Sequence, residues 1–269
     1  MATMTEPQVK PLVRYRAEDG LAILELDDPP ANTYTYEMKG QLDDAILRAR
    51  FDDSAHVIVI RGAGEKFFSA GANIAMLNKV TPRFKYFFCL HANETLSRLE
   101  QTPKLTIAAL NGHCVGGGLE IAMACDIRLA KENAGKIGLP EVNLGVLPGT
   151  GGTQRLARLV GKSLAIEMMV KGETFSFDRA KELGMVNEIF SADSYWDQVL
   201  LYARQFCPPN KASKAVGLIK RSVQSGAEVP FEYGLAIERE LQQQLFQSED
   251  AKEGIAAYNE KRVAEFKGK

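Results

Sequence analysis

A single tryptophan, three histidines and four cysteines in 269 residues leave few side chains for metal or thiol chemistry. Cys89, Cys114, Cys125 and Cys207 are scattered, with no C-x-x-C spacing and no companion histidine cluster. This predicts reduced, mostly buried thiols and no zinc or other metal site. No apolar run approaches the roughly 20 residues that a membrane helix needs. The opening "MATMTEPQVK" has no apolar core flanked by basic residues, so no signal peptide is expected, and the reading is cytoplasmic, or organellar after processing. Charge of one sign is also lacking, since the net formal charge is -1. No overall pull toward nucleic acid or an anionic membrane follows, and any anionic ligand must be met by local groups.

What is present is the composition of a soluble globular protein, 45% hydrophobic and 25% charged, with enough chain for a substantial core. "LVRYRAEDGLAILELDD" alternates apolar and polar residues on both sides of Asp19-Gly20, the pattern of a hairpin. Met38, Leu42, Ala45 and Ile46 share one helical face, and "HVIVIRG" reads as a buried strand. A glycine-containing loop, "GEKFFSAGAN", leads into helical sequence that runs to about Glu100; "LTIAAL" is a second buried strand, and "DIRLA" a possible third. Strands and helices alternate as far as "GMVNEIF", an α/β pattern. From Asp193 onward, helical spacing continues without an intervening strand. The chain therefore divides into a core of residues 1–192 and a helical region of residues 193–269, whose apolar faces would cover the core or a neighbouring subunit.

The stretch "NGHCVGGGLEIAMACD" sets Gly116, Gly117 and Gly118 between a strand and a helix. Glycines there let a ligand approach the backbone, and the N–H groups of a helix start favour negative charge, including a developing oxyanion. A tight turn required only for packing explains the same residues equally well. Glu120 falls in the first helical turn, where an acid complements the macrodipole without further purpose. A second stretch, "GLPEVNLGVLPGTGGTQR", places Glu141 after Pro140 in a proline- and glycine-rich loop. Two carboxylates beside glycine-rich loops suggest paired acid/base work.

Other chemistries fail on spacing. "GTGGTQ" has Gln154 where a dinucleotide fingerprint needs its third glycine, and "LVGKS" has Leu156 where a phosphate loop needs its first. "VGKSLA" ends on Ala165 instead of the last glycine of a nucleophile elbow. His113 and Cys114 are adjacent, but on a strand their side chains point to opposite faces.

Taken in order, "PPAN", "GEKFFSAGANI", "IAALNGHCVGGGLEIAMACDIRLA", "GLPEVNLGVLPGTGGTQRL", "GKSLAIEMMVKGETFSFDRAKELGMVNEI" and "NEKRVAEFKGK" resemble the enoyl-CoA hydratase/isomerase, or crotonase, family over nearly the whole chain. The resemblance implies an α/β crotonase (ClpP/crotonase-like) fold of repeated ββα units, with a C-terminal helical trimerisation region and assembly as a trimer or a dimer of trimers. It also implies an oxyanion hole made by the N–H groups of Ala72 and Gly117, around a thioester oxygen. The two family glutamates fall on Glu120, which would orient and activate a water, and Glu141, which would exchange a proton with Cα. Retention of both favours hydration of a short- or medium-chain trans-2-enoyl-CoA over double-bond isomerisation. A hydratase of a branched or dicarboxylic enoyl-CoA, such as 3-methylglutaconyl-CoA, is the alternative on the same fold.

By the same resemblance the coenzyme A part of the thioester substrate, with no separate cofactor, would lie along backbone groups of Phe68, Ser69 and Ala70. Lys66 would stand near its phosphates, and Tyr258 and Lys261 of an adjacent subunit would reach the ligand. Two departures stand out. Asn73 replaces a common aspartate, and "KVTPRFKYFFCLHANETL" is atypical, so that Phe84, Tyr86, Phe87 and Phe88 are expected to reshape the acyl pocket. An interaction protein on the same fold, for example one that binds RNA, calls for a basic patch or a lost carboxylate; the near-neutral charge and the two glutamates argue against it.

Overall fold

In the computed structural model, which describes residues 10–269, the sheet begins with the expected hairpin. Asp19 and Gly20 both take positive φ, 47° and 81°, the two-residue turn whose twist matches the flanking strands. It joins β1 (Val13–Glu18) to β2 (Leu21–Leu26) in antiparallel register. There follow α1 (Tyr36–Phe51), β3 (Val57–Gly62), β4 (Phe67–Ser69), α2 (Ile74–Leu77) and α3 (Pro82–Gln101). Next come β5 (Leu105–Leu110), β6 (His113–Val115), α4 (Gly117–Met123), β7 (Ile127–Lys131) and β8 (Lys136–Gly138). A 3-10 turn at Glu141–Leu144 precedes α5 (Gly152–Val160), α6 (Lys162–Lys171), β9 (Phe175–Ser176), α7 (Phe177–Glu182) and β10 (Glu188–Phe190). The remainder is helical: α8 (Tyr195–Arg204), α9 (Ser213–Gly226), α10 (Phe231–Phe246) and α11 (Glu249–Glu260).

Successive strands are dealt to two sheets. One has the order β1-β2-β3-β5-β7-β10, parallel from β2 onward, and the other the order β4-β6-β8-β9. The pairs β3/β4, β5/β6 and β7/β8 each give one strand to each sheet before the chain turns helical, which is the repeated ββα unit the resemblance implied.

Strands β2 and β3 are apolar on both faces because both faces are covered. Leu21, Ile23, Val57, Val59, Ile107, Ala109 and Leu129 pack outward against Tyr195, Val199, Ala203 and Cys207 of and beside α8. The alternate residues Ala22, Leu24, Leu26, Ile58 and Ile60 face the main core with α1 residues Met38, Leu42, Ala45 and Ile46. So α8 covers the core sheet. None of the residues of α10 is buried among the described residues, although it runs along α9.

The short strands β4 and β6 occupy stretches that the sequence alone presents as a loop and as a continuation of β5. Asn111 explains the break: its side chain accepts from the Gly62 N–H (3.0 Å) and donates to the Gly64 carbonyl (2.7 Å), turning the chain out of one sheet and into the other.

Candidate active site

Four glycines bring two turns into backbone contact. A Cβ on Gly71 would stand 2.7 Å from the Gly117 nitrogen, and one on Gly118 would collide with the Ser69 carbonyl. Only residues without a side chain fit there, and Gly116 additionally takes a positive φ of 56°. Gly117 is the first residue of α4, so its N–H lacks an intrahelical partner.

Ala72 lies on the other turn, fixed by a bridge to Tyr34. The Tyr34 N–H donates to the Gly71 carbonyl (2.9 Å), and the Asn73 N–H donates to the Tyr34 carbonyl (3.0 Å). These bonds engage the groups flanking Ala72 and leave its own N–H pointing away. Neither the Ala72 nor the Gly117 N–H has a backbone acceptor among the described residues. Two unclaimed donors on adjoining turns are what an oxyanion requires. The Asn73 side chain is occupied locally, accepting from the Met76 N–H (2.9 Å) and donating to Thr33 Oγ1 (3.2 Å).

Glu120 is 1% exposed, so its role is not that of a solvent-facing helix-start acid. Its Oε1 accepts from the N–H groups of Thr150 (2.8 Å) and Gly152 (2.7 Å), and its Oε2 accepts from the Thr150 hydroxyl. Three donors compensate a carboxylate removed from water, and such charge-assisted bonds are the strong ones.

Glu141 opens the 3-10 turn after Pro140, as expected. Its Oε1 comes against Gly116, 3.0 Å from where a Cβ would stand, while Oε2 is buried with no partner among the described residues. Burial lifts this carboxyl to about 7, and the charge of Glu120 adds to the rise; a backbone hydrogen bond and Lys85 pull the other way. The cluster thus holds a carboxylate anchored by three donors, a carboxyl that gains and loses a proton near neutrality, and two free N–H groups.

Of the segment expected to meet coenzyme A, Phe68 and Ser69 are fully buried, main chain included, and Ala70 is half-buried. The Ser69 hydroxyl donates to the Asn32 carbonyl (2.7 Å) and accepts from the Gly71 N–H (3.1 Å). The Ala70 N–H is already given to the Ala31 carbonyl (2.9 Å). Lys66 is exposed. Tyr258, 84% exposed, and Lys261 sit at the end of α11, outside the carboxylate cluster.

The four aromatic residues of the segment divide by burial. Phe88 is buried and stacks on Tyr34 (5.8 Å between ring centroids); Phe84, Tyr86 and Phe87 are exposed, because one face of α3 lies outside the core. His113 and Cys114 point apart on β6, with His113 Nδ1 accepting from the Lys136 N–H (3.1 Å) and the Cys114 thiol sealed in the core.

Sequence reasoning missed Thr150, Gly152, Tyr34 and Lys39. Thr150 and Gly152 stand in "PGTGG", which the search for nucleotide motifs discarded. Tyr34 stands two residues beyond "PPAN", and Lys39 sits on the buried face of α1, where a charged residue breaks the apolar pattern. A groove of about 680 Å³ between α9 and the β7 end of the sheet contains none of the expected site residues. Lys220 pairs there with Asp126 (2.9 Å), Arg155 with Glu100 (2.7 Å) and Arg158 with Glu228 (2.6 Å), and Arg128 donates to the carbonyls of Met185 and Cys125.

The sequence profile of the enoyl-CoA hydratase/isomerase family matches residues 16–269. The crotonyl-CoA hydratase of Syntrophomonas wolfei is 34% identical, covering 93% of this chain and 95% of its own. The 2,3-dehydroadipyl-CoA hydratase of Escherichia coli is 37% identical, covering 92% and 95%. The crystal structure of an enoyl-CoA hydratase from Geobacillus kaustophilus superposes with a TM-score of 0.94 at 46% identity, covering 98% of both chains.

Proposed function

Because this chain belongs to the enoyl-CoA hydratase/isomerase family, we propose that Glu120 and Glu141 are its acid/base pair and that Ala72 and Gly117 form its oxyanion hole. The protein is an enoyl-CoA hydratase, adding water reversibly across the 2,3 double bond of an acyl-CoA thioester to give the 3-hydroxyacyl-CoA. Coenzyme A enters as part of the substrate. The observation that carries the reading is the unequal pair of carboxyls: Glu120 anchored by three donors, Glu141 with one buried oxygen unclaimed.

The two N–H groups take up the negative charge that grows on the thioester oxygen as water attacks Cβ, and both belong to backbone that glycine contacts hold in place. Glu120, an acceptor only when ionised, receives the proton of the attacking water. Glu141, lifted to about 7, holds a proton near neutral pH and delivers it to Cα. Dehydration runs the same steps backward.

For the acyl group, a short or medium chain agrees with the buried Phe88 and Tyr34 beside the cluster. The coenzyme A part lies along the backbone of Phe68, Ser69 and Ala70 with Lys66 near the phosphates, and Tyr258 and Lys261 come from a neighbouring subunit of a trimer or dimer of trimers. Cytoplasmic residence is part of the same reading; no helix among the described residues is long and apolar enough to cross a membrane.

Glu120→Gln and Glu141→Gln are each expected to lower turnover of crotonyl-CoA by at least about a hundredfold, with binding of the thioester nearly unchanged. Near wild-type turnover in both variants would refute the two-carboxylate mechanism. A series of enoyl-CoA thioesters of graded length, including one with a terminal carboxylate, followed by loss of the conjugated double bond, ranks the acyl preference.

A further inference from the structure

Tyr34 and Lys39 are buried polar residues that the hydration scheme leaves without a task. Lys39 is 1% exposed, and its Nζ lies 4.0 Å from the centre of the Tyr34 ring and 5.8 Å from that of Phe88. The ammonium has no hydrogen-bond acceptor among the described residues. Placing a lysine in such a position costs stability unless something else requires it.

Tyr34 lies against both oxyanion turns and beside the loop that holds Glu120. Its backbone forms the bridge that aims the Ala72 N–H. Its hydroxyl stands against Gly117, close enough that any Cβ there would overlap it. The same hydroxyl neighbours Thr150, the residue whose N–H and hydroxyl both hold Glu120. Its ring carries the Lys39 ammonium over it and stacks on Phe88, and the ammonium lies over both rings. The charges around Lys39 come from each neighbouring element: Glu120 on α4 attracts it, Lys85 on α3 and Arg155 on α5 repel it, and Cys89 lies beside it on α3.

We propose that Tyr34 is a positioning residue that ties both oxyanion donors and the Glu120 carboxylate into one rigid frame, and that Lys39 braces its ring and faces the Glu120 charge. The inference rests on the site reading above. If the frame shifts by a fraction of an ångström, the donors miss the oxygen they must stabilise while the substrate still binds, so the loss falls on turnover.

Tyr34→Phe removes one oxygen and no packing. Its expected signature is a kcat for crotonyl-CoA reduced by about tenfold or more with KM within about threefold, at an unchanged melting temperature. A bound cinnamoyl-CoA, whose ultraviolet absorbance moves to longer wavelength when its carbonyl is polarised, is expected to show a smaller shift in the variant than in the wild type. Lys39→Met is expected to lower kcat in the same direction while folding normally. A Tyr34→Phe protein with wild-type kcat and spectral shift would overturn the proposal, as would a loss confined to melting temperature. Glu120→Gln, assayed alongside, separates the two levels. If Glu120→Gln retains turnover, the site reading itself fails; if Glu120→Gln is inactive and Tyr34→Phe is unaffected, only the positioning role fails.

Discussion

Burial brings two groups near neutrality from opposite directions, and each makes a separate prediction. For Glu141, burial disfavours the charged form and brings the carboxyl to about 7. A carbon-13 titration of its carboxyl is therefore expected to centre near 7, and Glu120→Gln is expected to move the midpoint down, since the Glu120 charge is one of the raising causes. Both directions of the reaction need one proton on the carboxyl pair, and hydration consumes no net proton. Accordingly kcat/KM for hydration and for dehydration are expected to share a single pH profile, with a basic limb set by Glu141. For Lys39, burial lowers the ammonium from 10.5 to about 7, against the pull of Glu120. Between those values the unfolded chain holds a proton that the folded chain has released, so wild-type stability rises with pH across that window. Lys39→Met is thus expected to be the more stable protein at pH 7 and below, by an amount on the order of several kcal/mol, with the gap closing toward pH 10.5. Urea unfolding of both proteins at pH 6.5 and 9.5 measures it, and an equal gap at the two values would refute the assignment. At this scale the sequence was legible where a motif carried the residue and silent where an oddity did. Glu120 and Glu141 stood beside glycine runs, whereas the meaning of Lys39 depends on which aromatic rings the fold brings over it.

The turn that leads into α4 shows what an element contributes beyond its residues. Gly118 lies where a Cβ would collide with the Ser69 carbonyl, a backbone atom that cannot rotate aside, so β4 and the start of α4 must separate if a side chain is added. Gly118→Ala is expected to lower the melting temperature by several degrees, corresponding to about 2 kcal/mol or more of overpacking, and to reduce turnover, because β4 leads directly into the Ala72 turn. A protein with unchanged melting temperature and activity would show that the two turns tolerate separation. Helix periodicity and the long buried strands were readable because each repeats a signal over many residues. Strands β4 and β6 span three residues each, too few for alternation to register, and the positions of β4 read as loop because their partners lie far along the chain. The aromatic run on α3 is undivided in composition for a related reason: only the helix phase decides that Phe88 turns inward while Phe84, Tyr86 and Phe87 stay out.

For the whole molecule, the alternation of strands and helices announced an α/β protein, but not that successive strands are dealt to two different sheets, since that pairing is a property of distant segments. The helical end of the chain was equally ambiguous, and its two halves behave differently. The inner face of α8 buries Tyr195, Val199 and Ala203 against the six-stranded sheet. By contrast α10 buries nothing, and Ile219, Val223, Phe231, Tyr233 and Phe246 on α9 and α10 are all more than 60% exposed. Apolar side chains in such number on neighbouring helices are seldom left to water in a stable monomer. A homotrimer, or a dimer of trimers, that covers α9 and α10 accounts for them, and it would carry Tyr258 and Lys261 of one subunit toward the coenzyme A of the next. Sedimentation equilibrium is expected to give three or six times the chain mass of 29.6 kDa. A Phe231→Asp, Phe246→Asp double variant is expected to sediment as a smaller species with a raised KM for the thioester, while a Tyr258→Ala, Lys261→Ala variant keeps the assembly and raises KM alone. A wild-type monomer of full activity would dismiss the shared site, and a double variant that dissociates without loss of affinity would place coenzyme A binding within a single subunit.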